Sequence, residues 1–299
     1  MFIDFKNLAT PEKMQWLQAA ISPRPICFVS TISKAGEVNL SPFSFFNLFS
    51  YNPPIVIFSC TRRMRNNTTK DTFDNILEVP ECVINIVDYE MVQQTSLSSC
   101  EYAKEVDEFV KAGFTKTTAT LVKPPMVKES NIQMECRVIE TKSLGEVGGS
   151  GQLVIAEVLC MHVNDAVIGK DGSIDQEQLH LVARMGGDWY CRVDASNMFQ
   201  IDKPNTALAI GIDQLPIGIR NSTILTGNHL GQLANVQTIP EIDPVFEDER
   251  LKNIIQYFSI TPLEMELELH KYAAELLNQK RVSDAWQILL SIESELYIS

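Results

Sequence analysis

Four cations, Arg62, Arg63, Arg65 and Lys70, fall within nine residues of a chain whose formal net charge is −13. They lie between Ile55-Val56-Ile57-Phe58-Ser59, a continuous apolar run of strand length rich in β-branched residues, and Asp71-Thr72. Short polar side chains at a helix start satisfy free backbone N–H groups, so the spacing predicts a strand, a basic loop and a helix running through Leu77. Such a unit suits a phosphate, because amide donors, the helix dipole and Lys70 would converge on one anion. The acidic balance argues against a nucleic-acid surface. A basic cluster in an acidic chain points instead to a small anionic ligand, with an ordinary solvated loop as the alternative.

Other chemistries find no pattern. His162, His180, His229 and His270 are scattered, without metal spacing such as H-E-x-x-H. The seven cysteines include no C-x-x-C pair, which suits neither a disulfide framework nor a zinc site; Cys27, Cys82, Cys136 and Cys160 sit in apolar strand-like runs as small hydrophobes. No G-x-S-x-G elbow, Walker loop or strand-following G-x-G-x-x-G is present, so hydrolase, kinase and Rossmann readings lack support. Gly148-Gly149-Ser150-Gly151 lies between two strand-like runs and reads as a hairpin turn.

The elements that position these residues are mostly strands. A short helix is expected over 11–20, capped by Thr10, with Met14, Leu17 and Ala20 as its apolar stripe. A hairpin of Ile26–Ile32 and a strand from Val38 then delivers Ser41–Asn47 to one rim of a sheet. Cys82–Val87 reads as a buried strand, Tyr89–Leu97 as a helix, and 98–130 as a long connection holding a short helix. Ile132–Leu144 and Leu153–Val163 form a long strand pair. Strands joined by hairpins favour a mainly β fold with helices, built on a small antiparallel barrel.

The character changes near residue 196, giving two expected domains, 1–195 and 196–299. Leu215–Gly231 is Gly-punctuated and polar at its end, and reads as a polar loop region, either a mobile cover or a packing connection. A helix is expected over 245–258, and another after Thr261-Pro262-Leu263-Glu264, which has the form of a capping box. Leu269, Tyr272, Ala273, Leu276 and Leu277 share one helical face. Ser283 is expected to cap a last helix with Ala285, Trp286, Leu289, Leu290 and Leu296 on its apolar side.

Several short motifs occur in a fixed order: Ser22-Pro23-Arg24-Pro25 with Val29-Ser30-Thr31, Ser41-Pro42-Phe43-Ser44-Phe45-Phe46-Asn47, Asn52-Pro53-Pro54, and Lys70-Asp71-Thr72 with Asn75. Val122-Lys123-Pro124-Pro125 with Glu135-Cys136, and Arg184-Met185-Gly186-Gly187 with Tyr190, complete the series. Together, over roughly residues 20–193, they resemble the flavin reductase-like family with the FMN-binding split barrel, of flavoredoxin type. The resemblance implies a split β-barrel, FMN as cofactor, and a homodimer; the C-terminal loop and helical extension expected after residue 195 lies outside it.

By that resemblance Ser41, Ser44, Phe45 and Asn47 would line the flavin ring and ribityl chain. Ser59, Lys70, Asp71 and Thr72 would lie near its phosphate, and Arg184 with Gly186 would close the site. FMN is expected rather than FAD, since one phosphate-sized site appears and no second pyrophosphate motif. The implied partners are NADH or NADPH as electron donor and a flavin or other small molecule as acceptor. An FMN-binding electron carrier without its own NAD(P)H oxidation is the other class left open. No catalytic acid or base is assigned, and none is required when hydride passes between stacked rings roughly 3.5 Å apart. No apolar run approaches the ~20 residues of a membrane span, and the N-terminus lacks a secretory h-region, so a cytoplasmic protein is expected.

Overall fold

The structure, a computed structural model, describes residues 1–203 and 207–296, the last five by backbone alone. The chain separates into two compact units, Met1–Phe199 and Gln200–Ser299. In the first, helix α1 (Thr10–Ala20) precedes strands β1 (Arg24–Pro25), β2 (Cys27–Ile32), β3 (Val38–Phe43), β4 (Phe46–Tyr51) and β5 (Pro54–Thr61). Helix α2 (Asp71–Glu78), strand β6 (Glu81–Ile86) and short helices α3 (Val92–Leu97) and α4 (Glu108–Ala112) follow. Strands β7 (Lys116–Thr117) and β8 (Met126–Val127) lead to the long hairpin of β9 (Ile132–Ser143) and β10 (Gly151–Val163), after which come β11 (Val182–Arg184) and β12 (Tyr190–Arg192).

Seven strands pair antiparallel in the order β3-β2-β6-β9-β10-β5-β4. The sheet curls strongly. β3 and β5 stand five places apart in that order, about 24 Å in a flat sheet, yet the rings of Phe43 and Phe58 have centroids 5.6 Å apart. One core therefore collects Val29, Phe43, Phe58, Ile84, Met134 and Val154 from six strands, with Phe73 of α2 over one end. Cys27, Cys82 and Cys136 are buried in the sheet as small hydrophobes, whereas Cys160 is only half-buried. A second sheet, β1-β11-β12, pairs Arg24 with Arg184 and Arg184 with Tyr190.

Two local readings of the sequence are corrected in this unit. The expected stripe on α1 is not buried: Met14, Leu17 and Ala20 are all exposed, and the helix buries no residue. Its N-cap is Ala9 rather than Thr10, with the Glu12 carboxylate accepting the Ala9 N–H at 2.9 Å. The connection before β9 is held by one buried group. Glu135 accepts the amides of Thr120, Leu121 and Val122 at 2.7, 2.5 and 3.0 Å and meets His162 Nε2 at 2.7 Å. Burial alone would raise its carboxyl, but these partners prevail and hold it at about 2.

The second unit is helical: α5 (Ile217–Arg220), α6 (Gly227–Ala234), α7 (Glu249–Tyr257), α8 (Pro262–Asn278) and α9 (Val282–Leu296). The apolar face anticipated on α8 is buried, as are Ala285, Trp286, Leu289 and Leu290 of α9; the side chain of Leu296 lies outside the described residues. Residues 215–231 are not a polar loop. Leu215, Ile219 and Leu225 enter the same core, and His229 completes a capping box with Thr226 while bonding Asn278 at 3.0 Å. Thr261 caps α8 without a side-chain hydrogen bond, and Ser283 falls inside α9 rather than before it. Among the described residues no helix is long and apolar enough to cross a membrane.

Candidate functional site

The strand–loop–helix unit forms as the spacing predicts, with β5 ending at Thr61 and α2 starting at Asp71. The loop charges, however, are largely consumed within it. Arg62 donates to the Asn67 side chain and carbonyl at 2.8 and 2.5 Å; Arg63 donates to Asp71 at 2.9 Å and to the Thr69 carbonyl; Arg65 donates to Glu101 at 2.9 Å. Lys70 alone of the four has no hydrogen-bond or ion-pair partner among the described residues. The arginines shape the loop, and Lys70 is the free cation.

The loop is also clamped from outside. Arg62 N donates to Ser150 O and Gly149 N to Arg62 O, at 2.9 and 3.0 Å, while Asn67 Nδ2 reaches Glu146 O at 2.8 Å. A Cβ on Gly148 would stand 3.0 Å from Met64 Cα, so the β9–β10 hairpin presses directly on the loop backbone.

Asp71 and Thr72 do not cap α2 with their side chains. Lys70 is the N-cap residue and makes no side-chain cap bond. Asp71 is neutralised by Arg63, and Thr72 Oγ1 donates to Asn39 Oδ1 at 2.6 Å. Asn39 Nδ2 donates in turn to Glu108, which also accepts Leu40 N. Burial pushes the Glu108 carboxyl up from its usual range. The backbone amides of Asp71 and Thr72 have no acceptor among the described residues, as expected at the first turn of a helix.

Two adjoining recesses open here, sharing Ser99. The polar one is lined by Asn39, Ser41, Lys70, Asp71, Thr72 and Glu108 among others. The more apolar one has Ile26, Pro42 and Phe43 beside Ser44, Thr95 and Arg184. Thr95 is 3% exposed and its hydroxyl has no partner, an orphan group on the wall of a recess. Arg184 is fixed by Tyr190 Oη at 2.7 Å and Gly187 O at 2.8 Å, with its guanidinium 4.7 Å from the Tyr190 ring centre.

Of the residues singled out from sequence, Ser41, Ser44, Lys70, Asp71, Thr72 and Arg184 line these two recesses. Phe45 sits at the β3–β4 turn, 43% exposed, its carbonyl accepting Ser59 N at 2.9 Å. Asn47 is exposed on β4 and bonds its own neighbour, Leu48 N. Ser59 is buried with an unpartnered hydroxyl facing Gly151. Gly186 admits protein rather than open space: a Cβ there would meet Ala19 Cα at 3.2 Å. Sequence reading missed Asn39, Thr95, Ser96, Ser99 and Glu108; the hydroxyl-rich run Thr95-Ser96-Leu97-Ser98-Ser99 is the signal that could have flagged the three within it.

The family model for the flavin reductase like domain matches residues 20–177. An uncharacterized protein of Halalkalibacterium halodurans is 36% identical over 200 residues, 66% of this chain and 94% of that one. Among solved structures, nitrilotriacetate monooxygenase component B from Bacillus cereus is 29% identical with a TM-score of 0.63, covering 67% of this chain and 98% of its own. A proposed flavin reductase with a split barrel domain from Shewanella frigidimarina is 25% identical with a TM-score of 0.58, covering 68% and 99%. The curled seven-stranded sheet is thus a split barrel.

Proposed function

The chain belongs to the flavin reductase like family, and from that premise we propose that it is an FMN-dependent oxidoreductase drawing electrons from NADH or NADPH. The observation that carries the reading is the pair of joined recesses, one apolar and hydroxyl-edged, the other holding Lys70 and two free helix amides. Their chemistry suits a ring system at one end and a single phosphate at the other. Lys70 and the amides of Asp71 and Thr72 would hold the phosphate, while Ser41 and Asn39 would bond the ribityl chain. Thr95, Ser96 and Ser44 would meet the polar edge of the ring. FMN, when bound, supplies a two-electron acceptor for hydride.

Arg184 then acts as a fixed positive charge at the ring end, where added electron density is stabilised. Asp71 neither repels the phosphate nor caps α2, because Arg63 balances it. We further infer a homodimer: β4 lies at a sheet edge and exposes Leu48, Phe49 and Tyr51. Purification, heat release of cofactor and chromatography test the central reading, followed by anaerobic titration with NADH or NADPH. FMN bleached by either nucleotide supports it. Recovery of FAD alone, or failure to bind FMN on reconstitution, overturns it, and FMN reduced only by dithionite identifies a carrier instead.

A further inference from the structure

Away from both recesses, three different donor types meet on one face of the β9–β10 ladder. Glu135 and Cys160 are register partners across it, set by an irregularity between Val158 and Cys160. His162 follows two residues later on the same strand, and strand alternation returns it to that face. The carboxylate, thiol and imidazole ligand atoms all lie within 4.8 Å of one another. Nε2 stands 2.7 Å from Glu135 Oε1 and 3.8 Å from Cys160 Sγ. Glu135 is fully buried, while Cys160 and His162 reach the surface.

Both short approaches converge on a single nitrogen. A thiol relay needs the two imidazole nitrogens to divide the work, one facing sulfur and the other the carboxylate. Here Nε2 faces both, which is the arrangement of a chelate. The S–N separation is close to the roughly 3.5 Å edge of a tetrahedron with Zn–S about 2.3 Å and Zn–N about 2.0 Å. The N–O pair needs to open modestly, and the His162 side chain, 35% exposed, has solvent on one side to move into. Thr120, Leu121 and Val122 amides already orient the carboxylate, as outer-sphere donors do around bound metals.

We propose that Glu135, Cys160 and His162 bind a thiophilic divalent cation, Zn2+ in the first instance, with a fourth position open to solvent. On binding, the thiol proton leaves to water and a metal–sulfur bond forms. The imidazole proton moves to Nδ1, and metal–nitrogen and metal–oxygen bonds replace the Nε2–Oε1 hydrogen bond. Thiolate and carboxylate together neutralise the ion, and no electron is transferred.

The test uses the full-length protein with its flavin content unchanged, titrated with Co2+ alone and then Zn2+ alone. One equivalent of Co2+ is expected to give tetrahedral ligand-field bands at wavelengths beyond flavin absorption, plus a thiolate charge-transfer band that Zn2+ bleaches. Cys160→Ser and His162→Asn should weaken Zn2+ binding by at least the roughly 10–100-fold that loss of an outer-sphere partner costs. Zn2+ should raise the Tm of the native chain and not of these variants. Retention of the bands by a Cys100→Ser/Cys191→Ser chain excludes the other surface thiols. No bands, bands that survive Cys160→Ser, or an equal Tm rise in all chains overturns the proposal. Metal-free Tm values identify any variant that fails to fold, and the conservative Glu135→Gln then supplies the same comparison.

Discussion

The two units bury polar groups in different ways. In the helical unit His229 pairs with Asn278 and Tyr272 Oη with Asp248 at 2.6 Å, while Gln232 Oε1 and Trp286 Nε1 stay unpartnered within the packed helices. Around them Leu269, Leu276, Leu277 and Trp286 fill a core of long side chains at helical spacing. In the barrel unit, buried hydroxyls such as Thr95 and Ser59 are left without partners, and Lys70 stands unpaired beside three arginines that are all engaged. Unmade bonds cost stability, and of these groups Thr95 and Lys70 are the ones that line a recess, where binding rather than packing can set the residue choice.

Substitutions on either side sharpen this contrast. Trp286 is 1% exposed in the helical core, and Trp286→Ala should cost about 3–5 kcal/mol through lost burial and a residual cavity. Denaturant unfolding measures it, and a loss below about 1 kcal/mol would show that core to be loosely packed. Lys70→Ala should leave barrel stability nearly unchanged yet cost about 1.5–3 kcal/mol of FMN affinity, roughly 10–100-fold. Riboflavin, lacking the phosphate, should bind as before; Thr72→Ala should do less, since its hydroxyl is committed to Asn39. Equal weakening of FMN and riboflavin by Lys70→Ala would move Lys70 to the structural side of the comparison.

Thr95→Val is the sharper discriminator. Replacing an orphan hydroxyl by a methyl should hold or raise stability, while flavin affinity falls by about 1 kcal/mol, several-fold. If stability drops and affinity does not, the hydroxyl has a packing role and the contrast fails. The smallest effect concerns pH. Burial lowers the proton affinity of His270, which is 4% exposed. The unfolded chain then binds the proton more readily, so stability is lost as pH falls through the ordinary histidine range near 6.5. His270→Leu should flatten that part of the pH–stability curve, and an unchanged slope would assign it to another group.

How much of this was readable in advance depended on the range of the interactions. The β5–loop–α2 unit is local, and its β-branched run and polar helix start were visible as such. The state of Arg65 was not, because its partner Glu101 lies 36 residues away; Arg62 and Arg63 turn back onto Asn67 and Asp71 nearby, through a loop shape that spacing does not encode. The α8 and α9 faces followed from 3.6-residue periodicity, whereas the short helices α5 and α6 are interrupted by glycines and read as loop. On α1 the spacing of Met14, Leu17 and Ala20 does not make a buried face, since all three stay exposed. The group formed by Glu135, Cys160 and His162 escaped any spacing rule, since its members meet only through the register of two strands.

The clamp of the β9–β10 hairpin on the basic loop has a kinetic consequence. Asn67 and Glu146 are 79 residues apart in sequence, and contacts of that span form late because closing so long a loop precedes any reward for it. Strands β2 and β3 can pair through a short turn while the basic loop still lacks its backing. Refolding chains should therefore regain backbone circular dichroism before they capture FMN, a lag that stopped-flow flavin fluorescence would resolve. Simultaneous recovery of both signals would mean that the loop takes its shape from its nearest neighbours alone.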